Sequence, residues 1–582
     1  MTAADAIVLA GGRASRMGGV DKPGLVIGGR SMLEAALAAV ADCARTVVVG
    51  PPRPNLAAHV RQAREAPAGS GPVAAIDAGL GALGDSGAAL VAVLAADMPF
   101  LTAEAIDELR GRAVASDVDA VFAADSDGRP QYLVGVWRRS ALRAALDRLD
   151  SVVNQPMKAI VPARTDIVEL SGAALAGIAD CDTDDQVRRA RAIAGEPLSL
   201  AHARDALRAD LTPLPIHTAD LRTVRGAALA EPLAAAAALP RFDVSAMDGY
   251  AVSGDGPWRL RRDIGFAGGQ RPEGLLPGEA VRIATGAHVP DGATLVLRDE
   301  FADISPDRVL HRLPDTPVRE DIRRRGEDRH EGDPVAPRGT PVTAALISAA
   351  ASVEVTAAPV RGPVRARVVM TGDEIRSDGP LRAGQTRDSI GPILPDLLGW
   401  CGVVTADRVH LRDTPNGFDE VLAAATDCDL LVVVGATGGG AADQLRAALA
   451  RASATVVVPR LRLRPGGSTV VSELPSGTTV LGLPGNPFAA VATALALTPA
   501  IVEGRTGALP ARPQRAPLCN AAAITAPVPR IVPARRDDRG GLIGDQSVRT
   551  AHLGGLIDRD GLVVVPAGAA DGDLVEFVPL RW

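Results

Sequence analysis

The chain has 582 residues, too many for one hydrophobic core and enough for several domains. It carries 62 Lys and Arg against 69 Asp and Glu, a net charge of −7 and only 2% aromatic residues. That balance excludes a nucleic-acid binder, which needs clustered positive charge or aromatic platforms for bases. Hydrophobic residues at 47% describe a soluble globular protein. Cys43, Cys181, Cys401, Cys428 and Cys519 are scattered without a Cys-x-x-Cys pair, which argues against structural zinc and a disulfide framework. Asp5 stands where a secretory leader would carry lysine, so the expected compartment is the cytoplasm, away from membranes.

Ala6 to Ala10 is a short apolar run that reads as a buried strand. It stops at Gly11-Gly12, and Arg13, Arg16 and Lys22 follow among small residues and Gly18-Gly19. Glycines let the backbone pass close to a ligand, and the three cations suit a phosphate chain. Ser31 with Glu34 three residues on is a capping box, opening a helix to about Ala44, with a strand at Thr46 to Val49. Strand, loop, helix, strand is the start of a doubly wound α/β domain. Ser70-Gly71-Pro72 is a turn before a second helix, and the strand Leu90 to Ala95 delivers Asp97 at its carboxyl end. One carboxylate there can hold Mg²⁺, which keeps waters and bridges to phosphates. Strands at Asp119 to Ala123 and Gln131 to Trp137 follow, then the acidic run Asp180 to Asp185 and a helix to about Gly195.

The first of these stretches resembles the signature of the molybdenum cofactor guanylyltransferases, on Leu9 to Gly12, the partly matched Ser15-Arg16-Met17-Gly18 and Asp21-Lys22. The resemblance implies a nucleotide site on Leu9, Ala10, Gly11, Gly12, Lys22 and Asp97, with Arg16 and Lys22 acting on the triphosphate. Mg²⁺ would sit on Asp97, with Asp182 as a second contact where the family carries Asn. Gly12 leans towards GTP, since the related cytidylyltransferases usually have alanine there; the CTP alternative stays open.

From Pro197 the pattern changes to an Ala-rich region read as helical from Leu198 to Ala238. Short strands and Gly/Pro turns between about Val252 and Pro341 suggest a β-rich subdomain, and Pro510 to Trp582 has the same character. Between them, strands at Arg365 to Met370, Asp429 to Val434 and Thr478 to Gly482 each end in a glycine-rich loop, placing three loops on one edge of a parallel sheet. A helix at Thr343 to Ala351 completes the linking pieces. The motifs SAMDGYA (Ser245 to Ala251), GEAVRIATGAHVPDGA (Gly278 to Ala293), Gly326-Glu327-Asp328, TGDE (Thr371 to Glu374) and LPGNP (Leu483 to Pro487) follow in order.

These five resemble the molybdopterin molybdotransferases, which insert molybdate into adenylylated molybdopterin. The resemblance implies pterin binding by Thr285, Thr371, Gly372, Asp373, Gly435, Gly440, Pro484, Gly485, Asn486 and Pro487. It implies catalytic carboxylates at Asp248, Asp328, Glu374 and Asp443, and a homodimer through this half. The family's Ser-Gly-Gly-x-Ser-x-Gly-x-x-Asp loop is altered: Val434 and Gly438 stand at the serine positions and Ala436 at the second glycine, while Arg464-Pro465-Gly466 replaces Lys-Pro-Gly. A lost donor to a charged group costs about 1.5–3 kcal/mol, so a non-catalytic pterin carrier is the alternative for this half. The expected domains are a nucleotidyltransferase over 1–195, a helical and β-rich region over 196–363, a molybdopterin-binding α/β domain over 364–507 and a β-barrel-like domain over 508–582. The expected activity is bifunctional, with GTP, molybdate and adenylylated molybdopterin as substrates and Mg²⁺ as cofactor.

Overall fold

The computed structural model describes residues 3–11, 21–125, 128–170, 177, 178, 180–414, 416–435, 437 and 444–581. The chain forms two compact units, one of residues 1–202 with 456–461, the other of 203–455 with 462–582.

The first unit is built on seven strands: β1 (Ala4–Leu9), β2 (Thr46–Val49), β3 (Val60–Ala63), β4 (Leu90–Ala95), β5 (Ala120–Ala124), β6 (Pro130–Arg138) and β7 (Thr165–Glu169). They lie in the order β3-β2-β1-β4-β6-β5-β7. The first four are parallel, and β6 runs antiparallel to both neighbours. Both faces of β1 are covered, as its apolar run requires. Ala6 and Val8 pack with Leu33 and Ala36 of the helix Met32–Ala39 and with Leu109 of the helix Ala103–Ala115. Ile7 and Leu9 pack with Val73 and Ile76 of the helix Pro72–Leu83. Gly79 permits that contact, because a Cβ there would lie 2.6 Å from Ile7 Cγ2. The Ser31–Glu34 capping box is present, but its helix ends at Ala39, a turn short of the expected Ala44.

The region expected to be helical from Leu198 to Ala238 is α-helical only over Leu200–Asp210, with a single 3₁₀ turn at Leu221–Thr223. Pro213, Pro215 and Pro232 withhold backbone donors, and the chain continues as the short strands His217–Asp220, Ala228–Leu229 and Leu233–Ala234. Alanine's helix preference is overridden there by pairing: Leu233 faces Ala336, and Ala235 N–H donates to Asp333 O at 2.9 Å. A six-stranded β subdomain follows, in the order Leu295–Arg298, Gly249–Val252, Glu279–Ile283, Trp258–Gly265, Val309–Arg312, Ala302–Ile304.

The central α/β layer holds β8 (Arg365–Thr371), β9 (Val404–Leu411), β10 (Leu430–Val434), β11 (Val470–Glu473) and β12 (Thr479–Leu483), ordered β9-β8-β10-β12-β11. β9, β8, β10 and β12 are parallel and β11 is antiparallel. The helix Pro487–Thr506 is the one described helix long and apolar enough to cross a membrane; 89% of its apolar window is buried inside the protein. Five antiparallel strands close the chain, from Gln514–Pro517 at one edge to Leu542–Gly544 at the other. A bridge between Leu518 and Leu542 brings those edges together.

Candidate active sites

In the first unit the chain leaves β1 towards β2 and β3, then crosses to β4 on the other side. The crevice beyond the carboxyl ends of β1 and β4 is therefore the topological switch point, where open α/β sheets hold ligands. Leu9 faces Ala95 across that edge, and Ala96 N–H donates to Leu9 O at 2.9 Å. Ala10 and Gly11 follow, with Gly50 pressed against them: a Cβ at position 50 would lie 2.7 Å from Ala10 O. Only glycine lets the exit of β2 pass so close.

Asp97 leaves β4 into this crevice half-buried, and its Oδ1 is buried with no hydrogen-bond partner. Burial pushes its carboxyl above the ordinary range, Asp180 and Asp182 push further, and Lys22 acts the other way. Asp180 is raised too, first by burial and then by Asp182. The Lys22 ammonium meets Asp182 Oδ1 at 2.5 Å, and Cys181 N–H donates to Asp97 O at 3.0 Å, tying the acidic run to the end of β4. Lys22, Asp97 and Asp182, far apart in sequence, thus share one crevice. Asp180 joins them, a residue whose only signal was the run Asp180-Cys181-Asp182. Gly12 and Arg16 lie outside the described residues.

Among the described residues no group of three or more His, Cys, Asp or Glu is arranged to hold a metal ion. Mg²⁺ does not require one, since it binds through one or two carboxylates and completes its shell with water and phosphate. The unpartnered Asp97 Oδ1 fits that demand, with Asp182 beside it.

In the second unit the switch point falls between β8 and β10, because the chain goes from β8 to β9 on one side and returns to β10 on the other. Thr371 Oγ1, buried, donates to Val434 O at 2.8 Å, and Gly435 N–H donates to Leu483 O at 3.0 Å, lacing the ends of β8, β10 and β12 together. Gly435 sits at φ +100°, and a Cβ there would overlap Thr371 Oγ1. Its N–H is therefore committed to the sheet and does not face a ligand. Among the described residues nothing takes the N–H of Gly485 or Asn486, both exposed after Pro484 at the start of the helix Pro487–Thr506. Such N–H groups at a helix N-terminus bind phosphate. The corner is held by Asn486 Nδ2 donating to Thr550 Oγ1 at 2.8 Å and Phe488 N–H donating to Thr550 O at 3.0 Å.

Gly372, at φ +108°, leaves room for the Glu374 carboxylate to fold back over it. His410 Nε2 lies 2.8 Å from Gly372 O, and Asp373 and Asp413 exchange backbone-to-carboxylate hydrogen bonds of 3.4 Å. One carboxylate here was missed by sequence reasoning. Asp388 is 4% exposed; its Oδ1 accepts from Ile390 and Gly391 N–H at 3.1 and 2.8 Å, and its Oδ2 is buried without a partner. Asp388 N–H donates to Arg376 O and Thr386 N–H to Glu374 O, so it borders the Thr371–Glu374 loop. No motif marked it.

Asp248 and Thr285 meet in the β subdomain, where Thr285 N–H donates to Asp248 Oδ1 at 2.7 Å and holds that carboxyl below its ordinary range. Asp328 pairs with Arg323. Among the described residues no hydrogen bond or ion pair joins Asp248, Thr285 or Asp328 to the sheet edge carrying Thr371 to Glu374. Gly440 and Asp443, with Ala436 and Gly438, lie outside the described residues.

Three family models match: the MobA-like NTP transferase domain over residues 6–168, the MoeA N-terminal region (domain I and II) over 198–353, and the probable molybdopterin binding domain over 367–503. A molybdopterin molybdenumtransferase of Synechococcus elongatus is 31% identical over 314 residues, 51% of this chain and 78% of that protein. The molybdopterin molybdenumtransferase 2 of Mycobacterium tuberculosis is 34% identical over 291 residues, 47% of this chain and 71% of that one. The chain belongs to the molybdopterin molybdenumtransferase family. A MobA-like NTP transferase domain precedes the molybdenumtransferase half, and the whole is a transferase of molybdenum cofactor biosynthesis. The solved structure of a molybdopterin biosynthesis protein from Pyrococcus horikoshii shares the fold of the molybdenumtransferase half, with a TM-score of 0.52 at 18% identity. It covers 66% of this chain and 100% of that one.

Proposed function

We propose that this molybdenumtransferase is bifunctional. Its C-terminal half moves molybdate into adenylylated molybdopterin and releases AMP. Its N-terminal half then transfers GMP from GTP to the terminal phosphate of the product and releases pyrophosphate. The observation that carries the second reaction is the convergence of Lys22, Asp182 and the unpartnered Asp97 Oδ1 at a sheet switch point. A phosphate oxygen of the acceptor attacks the α-phosphorus of the nucleotide, the bond to the β-phosphate oxygen breaks, and pyrophosphate takes the electron pair. The attacking group is already an anion, so the protein needs alignment and charge neutralisation more than a base. Lys22 draws charge from the triphosphate, and Asp97, with Asp182, would hold Mg²⁺, which when bound neutralises phosphate charge. Gly11 and Gly50 leave the backbone open beside the phosphates.

For the first reaction, the N–H groups of Gly485 and Asn486, which no described residue takes, support binding of the pterin phosphate, with Glu374, Asp388 and Asp413 around the Thr371–Glu374 loop. A homodimer through this half is part of the proposal; sedimentation of the full chain tests it, and a monomer at working concentration refutes it. The decisive experiment incubates the protein with adenylylated molybdopterin, molybdate and either GTP or CTP, then identifies the products. AMP with a guanylylated cofactor is expected. A cytidylylated product would reassign the nucleotide, and pterin binding without AMP release would make the C-terminal half a carrier.

A further inference from the structure

Lys22 opens a single short turn, Lys22–Gly24, with no side-chain cap and no buried residue of its own. An ammonium on so slight an element needs an external brace if it is to meet a triphosphate in one place. The brace lies on the preceding residue. Asp21 takes both terminal nitrogens of Arg53, Nη2 to Oδ1 at 2.6 Å and Nη1 to Oδ2 at 2.9 Å, the two-pronged geometry that fixes direction as well as distance. Arg53 is itself anchored. Its N–H donates to Gln62 Oε1 at 2.8 Å, and Gln62 Nε2 donates back to its carbonyl at 3.0 Å, from strand β3 of the main sheet. Gly24 stands beside the Asp21 carboxylate, where a Cβ would collide with Asp21 Oδ2 and reach within 3.8 Å of Arg53 Nη1. The path from sheet to lysine is therefore continuous: Gln62, Arg53, Asp21, Lys22, and at its end Asp182 Oδ1 at 2.5 Å.

We propose that Arg53 is a positioning residue of nucleotide transfer: by clamping Asp21 it sets the Lys22–Gly24 turn, and so the aim of the Lys22 ammonium into the crevice of Asp97 and Asp182. The inference rests on the nucleotide-transfer reading above. Arg53 acts through Lys22 and not on substrate, since its two forked nitrogens are given to Asp21. Losing it need not disturb the fold, because the Asp21 side chain is 60% exposed and rehydrates.

The test uses the full chain, Mg²⁺ and a GTP analogue that cannot transfer its α-phosphate, with affinity read by calorimetry and the thermal transition recorded beside it. Arg53→Met is expected to weaken analogue binding roughly tenfold, with little change in the transition, and Arg53→Lys to recover part of the loss. Lys22→Ala is expected to weaken binding at least as much. In the Lys22→Ala background, Arg53→Met should add less than about twofold, since residues acting in series are not additive. Unchanged affinity in Arg53→Met overturns the inference and leaves the nucleotide-transfer reading standing. A full further loss on top of Lys22→Ala also overturns it, because Arg53 would then act on its own. No binding of the analogue to the unmodified protein removes both.

Discussion

Asp97→Asn should make the protein more stable and inactive at once. The Asp97 carboxylate is half-buried, its Oδ1 lacks a partner, and Asp180 and Asp182 repel it. A buried charge without a partner costs more than the neutral amide that replaces it, a difference of about 1–3 kcal/mol, and the lost attraction to Lys22 offsets part of the relief. The raised carboxyl shows which side wins: in the ligand-free fold the neutral form is preferred relative to water. A net gain of about 1 kcal/mol follows, which moves the transition of a domain of 150–250 residues by about 2–4 °C. The sign can be checked through linkage. Between the ordinary carboxylate pKa and the raised value the folded chain binds more protons than the unfolded one, so this group's contribution to stability falls as pH rises through that window. The gain from Asp97→Asn should therefore be full above the window and vanish below it. Scanning calorimetry of the ligand-free chain on both sides reads the stability, and pyrophosphate release reads the function, expected to fall about 10²–10³-fold. A lower transition above the window would mean that the Lys22 attraction outweighs burial, and persisting pyrophosphate release would remove the metal-holding role.

Asp180→Asn takes away one of the charges that raise Asp97, so Asp97 stays ionised to lower pH and the acid limb of pyrophosphate release should move down; an unmoved limb would show that Asp97 does not set it. Chelating Mg²⁺ should abolish pyrophosphate formation from GTP, measured by a coupled phosphate assay, and turnover in excess chelator would contradict the role given to Asp97. Gly435→Ala places a side chain at φ +100° against Thr371 Oγ1, a strain of about 1–3 kcal/mol at the β8–β10 switch point. AMP release should fall while pyrophosphate release, measured with preformed molybdenum cofactor as acceptor, is kept, and equal losses in both would show that the substitution disturbs more than its own sheet.

The central strands of both sheets were legible because each is a short, largely apolar run; Val60–Ala63, Thr165–Glu169, Val404–Leu411 and Val470–Glu473 were not, because polar residues interrupt them. Lys22 and Asp97 were legible from the short motifs around them. What was not legible is what long-range pairing decides. Asp21 and Arg53 are 32 residues apart in sequence, and nothing local in either marks the clamp. Asp388 is distinguished by an unpartnered oxygen, which no composition reveals. The stretch Leu233 to Ala238 was misread because alanine favours a helix locally, whereas the partner strand Pro334–Ala336 comes from a hundred residues further along. The resemblance counts Gly435 among the pterin-binding residues, but its N–H is used by Leu483 O, a bond that exists only once β12 is in place.

The helix Pro487–Thr506 has consequences for the order in which the chain is made. Its mean hydropathy of 1.4 would make it hazardous on a ribosome if it emerged before the surfaces that cover it. It does not: β12, the strand Ala357–Arg361 and the helix Leu394–Trp400, which pack on it, all precede it, so that part of its docking surface is synthesised first. Its opening corner is another matter, since Asn486 and Phe488 are held by Thr550, which leaves the ribosome later. A nascent chain stopped between Gly507 and Arg549 would bury the helix yet leave the Pro484–Pro487 corner unfastened. A domain translated later thus completes the Pro484–Pro487 corner of the domain before it.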